Sequence, residues 1–461
     1  MQHIFVLDAE RKPLMPCHPA RARELMSKSK AARFRQYPFT IILSQRSGGA
    51  VEALRLKIDP GAKTTGLALV EESTGRVVWA AELEHRSFAI KKKMEDRSGH
   101  RRSRRTRKLR HRPARFENRT RPEGWLGPSL RSRCEGTITW VRRLQELAPI
   151  THLSFEQVRF DMQKMENPEI SGVEYQQGTL AGYELREYLL EKWGRKCAYC
   201  GREDVPLQIE HIVPKSRGGS NRVSNLTLSC PAHNMEKGNR TAAEFGHPEV
   251  EANAKKPLRA AGMLNATRWA IWRGLKEVGL PLESGSGGRT KYNRTRQRYP
   301  KAHWIDAACV GESGEKIIID SDHRPLIISA KGHGSRQMCA TDAYGFPKQH
   351  KSRRKLHYGF QTGDIVRAVL PKGKYAGTHV GRIVVRATGS FDLKEMGSGQ
   401  KMTANWKYCE AVHRADGYEY GAGQSLEELV EAAEACRAAR DGPDSGPAPP
   451  YGNGASIRQQ W

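Results

Sequence analysis

The sequence predicts a multidomain α/β protein, and three observations lead there. The chain has 461 residues, enough for about three domains. Strand-like alternation and helix-like apolar stripes follow one another along most of it. A compact cysteine and histidine module near the middle interrupts that succession.

The strand signal is clearest at 51–85. Leu54, Leu56 and Ile58 alternate with polar residues, DPGAKTTG turns the chain, LALVEE returns, and RVVWAAEL follows as a third strand. CEGTITWVRRLQEL at 134–147 places Ile138, Val141 and Leu144 at helical spacing, and THLSFEQV then reads as a strand. Residues 183–193 read as a helix, and 263–278 set Trp269, Trp272 and Leu275 on one helical face, a core stripe. Before all this, residues 1–50 form a leading module: a strand, a turn punctuated by Pro13 and Pro16, a short basic helix and a second strand. Residues 357–420 are β-rich and look like a small barrel. Beyond Tyr420, Ser425 and Glu428 make a capping box for a short helix, and the Pro/Gly/Ser-rich end is expected to be disordered.

Charge narrows the function. There are 78 basic and 50 acidic residues, a formal net charge of +28. From Arg97 to Arg121 nearly every second residue is Lys or Arg. Such a block repels itself unless a polyanion neutralises it, and it has no apolar face for a membrane surface. No apolar run reaches the ~18 residues of a membrane-spanning helix, and the N-terminus lacks a signal-peptide pattern, so a cytoplasmic protein is expected, acting on nucleic acid in a bacterial nucleoid. Cys17, Cys134, Cys309, Cys339, Cys409 and Cys436 carry no ligand spacing and are expected to be buried thiols.

The strongest local signal runs from Cys197 to Gly238. Cys197-x-x-Cys200 and Cys230-x-x-His233 are two ligand pairs that suit tetrahedral Zn²⁺ in a closed, structural site. Between them lies IEHIVPKSRGGS followed by NL. The module resembles the HNH endonucleases, which fold as a ββα-metal unit. The resemblance makes His211 the general base that activates water, Glu210 and Asn234 the Mg²⁺ ligands, and Asn225 the residue that braces the loop. One carboxylate and one amide oxygen would leave Mg²⁺ largely hydrated, with room for a phosphate. Glu210 stands where many relatives have Asp, and His233 where many have Cys.

Asp59 ends an apolar strand, Glu156 ends another in LSFEQ, and His303 and Asp306 are three apart in KAHWIDAA, on one helical face. Together these segments resemble the RuvC-like nucleases of the RNase-H fold. That resemblance implies Asp59, Glu156 and Asp306 as ligands of two Mg²⁺ ions, with His303 assisting as ligand or base. The HNH module falls between Glu156 and His303, so the RuvC-like domain would be split around it.

The whole order, beginning with PLMP at Pro13–Pro16, resembles the IscB family, transposon-associated relatives of type II CRISPR effector nucleases. The expected parts are a PLMP module (1–50), RuvC-like segment I (51–85), an arginine-rich bridge helix (86–121) and segment II (122–182). Then come the HNH domain (183–245), segment III (246–340), a β-rich C-terminal domain (341–420) and a tail (421–461). The resemblance implies a guide RNA, large and structured, and a target double-stranded DNA, with the protein a monomer in a ribonucleoprotein. It puts Arg101, Arg102, Arg104, Arg105, Arg107 and Arg110 on RNA and heteroduplex phosphates. Gly363–Tyr375 and Lys401–Lys407 would read a short motif flanking the target. HNH would cut the guide-paired strand and RuvC the displaced one. The alternatives are a guide-independent HNH homing-type endonuclease, a nuclease-derived binder that has lost catalysis, and a junction resolvase.

Overall fold

A computed structural model describes residues 2–106, 125–157, 185, 188–190, 192–203, 205–256, 259–333, 338–344, 346–350 and 353–438. The chain opens with β1 (Ile4–Leu7), β2 (Pro13–Cys17), α1 (Pro19–Ser27), β3 (Ala31–Arg35) and β4 (Thr40–Leu43). They form a sheet of order β2-β1-β4-β3 over a core of Val6, Ala22, Ala31, Ile41 and Leu43. The PLMP stretch is a strand, not the turn expected from its prolines. It lies at a sheet edge, where a residue without an N–H leaves no ladder bond unmade.

The central sheet begins with an antiparallel meander, β5 (Leu54–Pro60), β6 (Thr64–Glu71) and β7 (Val77–Glu84). Helix α2 (Ser87–Thr106) and helix α3 (Pro128–Gln145) follow, and β8 (Ile150–Glu156) pairs parallel to β5. Residues 107–124 and 158–184 lie outside the described residues.

A separate unit comes next. Its described residues between 185 and 192 are helical, followed by β9 (Gln208–His211), β10 (Leu226–Ser229), α4 (Pro231–Lys237) and α5 (Pro248–Lys255). Its own core includes Leu189, Ile212, Leu226 and Leu228, and Val250 and Ala254 of α5 belong to it. The unit therefore extends past residue 245, where the sequence reading ended it.

The chain returns through α6 (Arg259–Lys276) to β11 (Leu282–Gly285), which adds parallel to β8. Then come α7 (Gly287–Arg296), α8 (His303–Ala308) and β12 (Leu326–Ala330), the last parallel to β7. A hairpin of β13 (Cys339–Thr341) and β14 (Pro347–His350) leads to an antiparallel sheet of β15 (Ile365–Leu370), β16 (Gly377–Val384), β17 (Ser390–Glu395), β18 (Lys401–Asn405) and β19 (Cys409–His413). Its order is β18-β17-β16-β15-β19, an open sheet and not the closed barrel expected. β20 (Tyr418–Ala422) leaves it and pairs antiparallel to β12, and α9 (Leu426–Ala438) ends the described chain.

The completed central sheet has the order β11-β8-β5-β6-β7-β12-β20. Side chains alternate across it, so β6 sends Leu67 and Leu69 to one face and Ala68 and Val70 to the other. The first face packs on α3 and α6 through Trp140, Val141, Leu144, Ile271 and Leu275. Of the expected α6 stripe, Leu275 is buried and Trp272 packs partly, but Trp269 points outward, 44% exposed, while Ile271 goes inside. The second face packs on α8 and α9 through Trp304, Ile305, Ala308 and Leu426. Two boundaries move accordingly: β20 belongs to the central sheet, and α9 packs back on it instead of standing in a free tail. The capping box holds, with the Ser425 Oγ accepting from the Glu428 N–H at 3.2 Å and Glu428 Oε2 accepting from the Ser425 N–H at 3.0 Å.

RADGYEY, residues 414–420, is the joint between these parts. Arg414 Nη1 lies 3.1 Å from the buried Asp364 at the start of β15. Asp416 takes Arg143 Nη1 of α3 at 3.0 Å and the Tyr420 hydroxyl. Tyr420 stacks on Tyr37 of the N-terminal module, ring centroids 4.8 Å apart at 8°, and Tyr418 meets Trp140 edge-on.

Candidate active sites

The parallel register sets Ile58 beside Phe155, so Asp59 and Glu156 follow side by side at the ends of β5 and β8. Helix α8 crosses over this end. Its His303 Nδ1 is 4.0 Å from Asp59 Oδ2, and Asp306 stands a turn further on, close enough to feel the Asp59 charge. Gly66 of β6 allows the approach, because a Cβ there would lie 1.9 Å from the His303 carbonyl oxygen. Gly287 at the start of α7 does the same for Glu156, whose Oε1 is 3.0 Å from where a Cβ would stand. The four residues named from sequence thus meet at one end of the sheet although they come from three stretches of chain.

Electrostatics follow from the crowding. Hydrogen bonding to Asp59 raises the His303 pKa against the effect of burial, and Glu82 and Asp306 add to it. Burial pushes the Asp306 carboxyl up, and Asp59 reinforces this, while Arg294 opposes it. Arg294 Nε of α7 is 2.6 Å from Asp306 Oδ1, a partner that no spacing along the chain reveals. Carboxylate oxygens are the hard donors that Mg²⁺ takes, but with Arg294 on Asp306 the oxygens of Asp59, Glu156 and Asp306 do not all lie within 4.8 Å of one another.

Behind the site a polar network ties the segments together. The buried Lys57 donates to Val310 O at 2.9 Å and to Ser313 Oγ at 2.7 Å. Glu283 of β11 accepts from Ser154 Oγ at 2.5 Å, Ser313 Oγ at 2.6 Å and the Glu312 N–H at 2.7 Å, and it pairs with Arg55 at 3.1 Å.

In the inserted unit, His211 ends β9 and its Nε2 is 2.9 Å from Asn221 Oδ1. Asn225 spans the loop: its Oδ1 accepts from the Val213 N–H at 2.9 Å, and its Nδ2 donates to Val213 O at 3.0 Å and Ser220 O at 2.9 Å. Glu210 points the other way, toward α4, where Lys237 Nζ meets its Oε1 at 2.6 Å with both side chains buried. Asn234 of α4 donates to Gln208 Oε1 at 2.7 Å, and Gln208 shares the Glu210 face of β9. Asn221 and Lys237 are site residues the sequence reading missed. Only the fold reveals them, since one lies in a loop and the other reads as an ordinary surface lysine.

Cys197, Cys200, Cys230 and His233 bring their ligand atoms within 4.8 Å of one another, and among the described residues they are the one such group. Cys230 caps α4, so His233 stands one turn away, with Nδ1 3.1 Å from Cys230 Sγ. Burial alone would raise the Cys197 pKa; the backbone N–H groups of Cys200 and Cys230 outweigh it and lower it, favouring thiolate. Three sulfurs and one imidazole fit zinc. Of the remaining cysteines, Cys134 and Cys309 are buried as expected, Cys17, Cys339 and Cys409 are only half-buried, and the Cys436 side chain lies outside the description.

The arginine segment is helical over the described part. Arg101 and Arg102 of α2 are exposed; only the backbone is described for Arg104 and Arg105, and Arg107 and Arg110 lie outside the described residues. Of the two C-terminal stretches, Lys401–Lys407 forms the edge strand β18 and the turn after it, where Trp406 stacks on the exposed Tyr358 with centroids 4.9 Å apart. Gly363–Tyr375 carries β15, whose Val366 and Ala368 face the core.

Residues 197–240 match the family model described as HNH endonuclease, and residues 4–178 match the one described as RRXRR protein. Residues 197–240 are thus an HNH endonuclease domain, of a family that hydrolyses phosphodiester bonds. The RRXRR match lies ahead of the HNH domain along the chain. Among solved structures it is similar to Streptococcus thermophilus Cas9 in complex with the AGAA PAM, at 14% identity and a TM-score of 0.20, covering 56% of this chain and 32% of that one. The same protein with the GGAA PAM gives the same values. The chain thus matches about a third of the length of those chains. No curated protein matches it.

Proposed function

We propose that this protein is an RNA-guided double-stranded DNA endonuclease of the IscB type. In this reading HNH cleaves the guide-paired strand and a split RuvC-like centre cleaves the displaced strand. One observation carries it: carboxylates from both sides of the HNH insertion converge at one end of the central sheet. The order β7-β6-β5-β8-β11, a meander continued by two parallel strands, supports an RNase-H-like core.

At that centre Asp59, Glu156 and Asp306 would hold divalent ions, with His303 beside Asp59. When bound, such ions polarise the phosphate and ease ionisation of water. In the HNH unit Glu210 and Asn234 would hold one more. There, with His211 in the tautomer protonated at Nε2, Asn221 Oδ1 would accept that proton and Nδ1 would take one from the attacking water. Asn225 fixes the loop that follows His211. Zinc in the Cys₃His site would join the knuckle at Cys197 to α4. The α2 arginines would contact guide RNA and heteroduplex phosphates, and the β15–β19 sheet would read the flanking motif. The protein would work as a monomer on one RNA, in the cytoplasm.

The test is cleavage of a strand-labelled plasmid, with and without RNA transcribed from the native locus. RNA-dependent double-strand cutting is expected. Asp59→Ala and His211→Ala should each leave a nick on a different strand, with the other strand slowed roughly 10²–10⁴-fold. Efficient cleavage without RNA would instead favour a homing-type endonuclease.

A further inference from the structure

Two backbone irregularities in the N-terminal module meet at one exposed aromatic ring. β3 is an edge strand, and its register with β4 slips between Arg33 and Arg35. Phe34 is the extra residue of this bulge, which takes it out of the ladder. Its ring is 42% exposed, with arginines on both sides. The second irregularity is Arg11, a non-glycine residue at φ 65°. The turn that imposes this is held by the fully buried Asp8, whose Oδ1 accepts the N–H groups of Glu10 at 2.9 Å and Lys12 at 2.8 Å, and whose Oδ2 accepts that of Gly48 at 2.9 Å. The strained turn delivers the Arg11 guanidinium over the Phe34 ring, 5.7 Å from its centroid. Held strain of this kind concentrates where a site is preorganised.

Charge identifies the occupant. Residues 10–46 contain nine Lys or Arg and two Glu. Arg33, next to Phe34 in the strand, and Lys28 and Lys30, shortly before it in sequence, are exposed. An apolar ring capped by a guanidinium in a strongly basic module is the chemistry that stacks an unpaired base while holding its phosphates.

We propose that Phe34 and Arg11 form a base-stacking platform for an unpaired nucleotide of the RNA, separate from the arginine helix. This rests on the RNA-guided reading above. It gives the N-terminal module a task of its own: anchoring a single-stranded part of the RNA scaffold on the flank of the nuclease core.

The experiment is crosslinking of the full-length protein to a 4-thiouridine-substituted single-stranded RNA, with the crosslinked peptides mapped by mass spectrometry. Affinities are measured in parallel for wild type, Phe34→Ala, Phe34→Trp and Arg11→Ala. A crosslink at residues 31–36 is expected. Phe34→Ala should weaken binding about five- to a hundred-fold, and Phe34→Trp should restore it. Since Phe34 is exposed, unchanged melting of Phe34→Ala would separate lost contact from lost fold. Crosslinks confined to residues 87–121, with Phe34→Ala binding as wild type, would overturn the platform and leave the guided reading intact. Preferential crosslinking of single-stranded DNA of the same sequence at residues 31–36 would overturn the choice of RNA. Failure of the wild-type protein to bind RNA at all would remove the guided reading and the platform with it.

Discussion

At the residue scale, the half-buried Glu283 behind the carboxylate site shows how a charge is held in place. Burial alone would raise its pKa, but hydrogen bonds from Ser154 and Ser313, aided by the Lys57 charge, outweigh it and hold the carboxyl at about 2. A carboxyl depressed on folding stabilises the protein above the ordinary range near 4.3 and loses that contribution as pH falls toward its folded value. Glu283→Gln should therefore lower the urea midpoint at pH 6 and narrow its gap to wild type at pH 3. Equal midpoints at both pH values would show that the network carries no net stability. That Asp59, Glu156, His303 and Asp306 lie at one end of the sheet was legible in the sequence, because each sits in a short motif at a strand end or on one helical face. Arg294, Lys237 and Asn221 were not, because their partners are set by how helices and loops pack on strands and not by spacing along the chain.

At the element scale, short helix α8 is positioned by a missing side chain. Gly66 lets it lie directly on β6, and Trp304, Ile305 and Ala308 then bury against Ala68, Val70 and Ala80. A methyl at residue 66 meets backbone atoms of His303, which have no rotamer to yield, so the helix must shift. On the two-centre reading proposed above, Gly66→Ala should slow cleavage of the displaced strand roughly 10²-fold, as for a catalytic group misplaced by about an ångström. The nick made by the HNH unit should persist. Loss of both activities together would point to global unfolding instead. The meander, α3 and the ββα unit were legible from apolar period and ligand spacing. Three features were not: a proline-bearing edge strand looks like a turn, β20 lies in a stretch continuous with another β-rich domain, and an open sheet has the same alternation as a barrel.

At the scale of the whole molecule, the net charge of +28 and the RADGYEY joint act together. The charge suits a polyanionic partner, and the joint ties together the N-terminal module, α3, the central sheet and the C-terminal sheet. The joint concentrates on Asp416, whose pKa burial would raise but which the hydrogen bonds of His413 and Tyr420, together with the Arg143 charge, hold well below the ordinary range. Arg143→Ala removes a partner from a mostly buried carboxylate and strips the cation from Trp140 and Tyr418, over whose rings it lies at 5.2 and 5.1 Å. The expected loss is roughly 1–3 kcal/mol, read as a lower melting temperature. It should come with earlier proteolysis at the boundary between the two sheets. Unaltered melting and proteolysis would place the joint elsewhere.

The central sheet is assembled from strands scattered along the chain, and its outermost strand, Tyr418–Ala422, is the last strand among the described residues. During synthesis the HNH unit, whose contacts are local, can fold as soon as it clears the ribosome. Asp59 emerges early but has no Asp306 to meet until the insertion has been made, and the sheet edge beside β12 stays open until Tyr418–Ala422 has emerged. A chain cut short before that strand would therefore keep a folded HNH unit beside an unfinished central sheet.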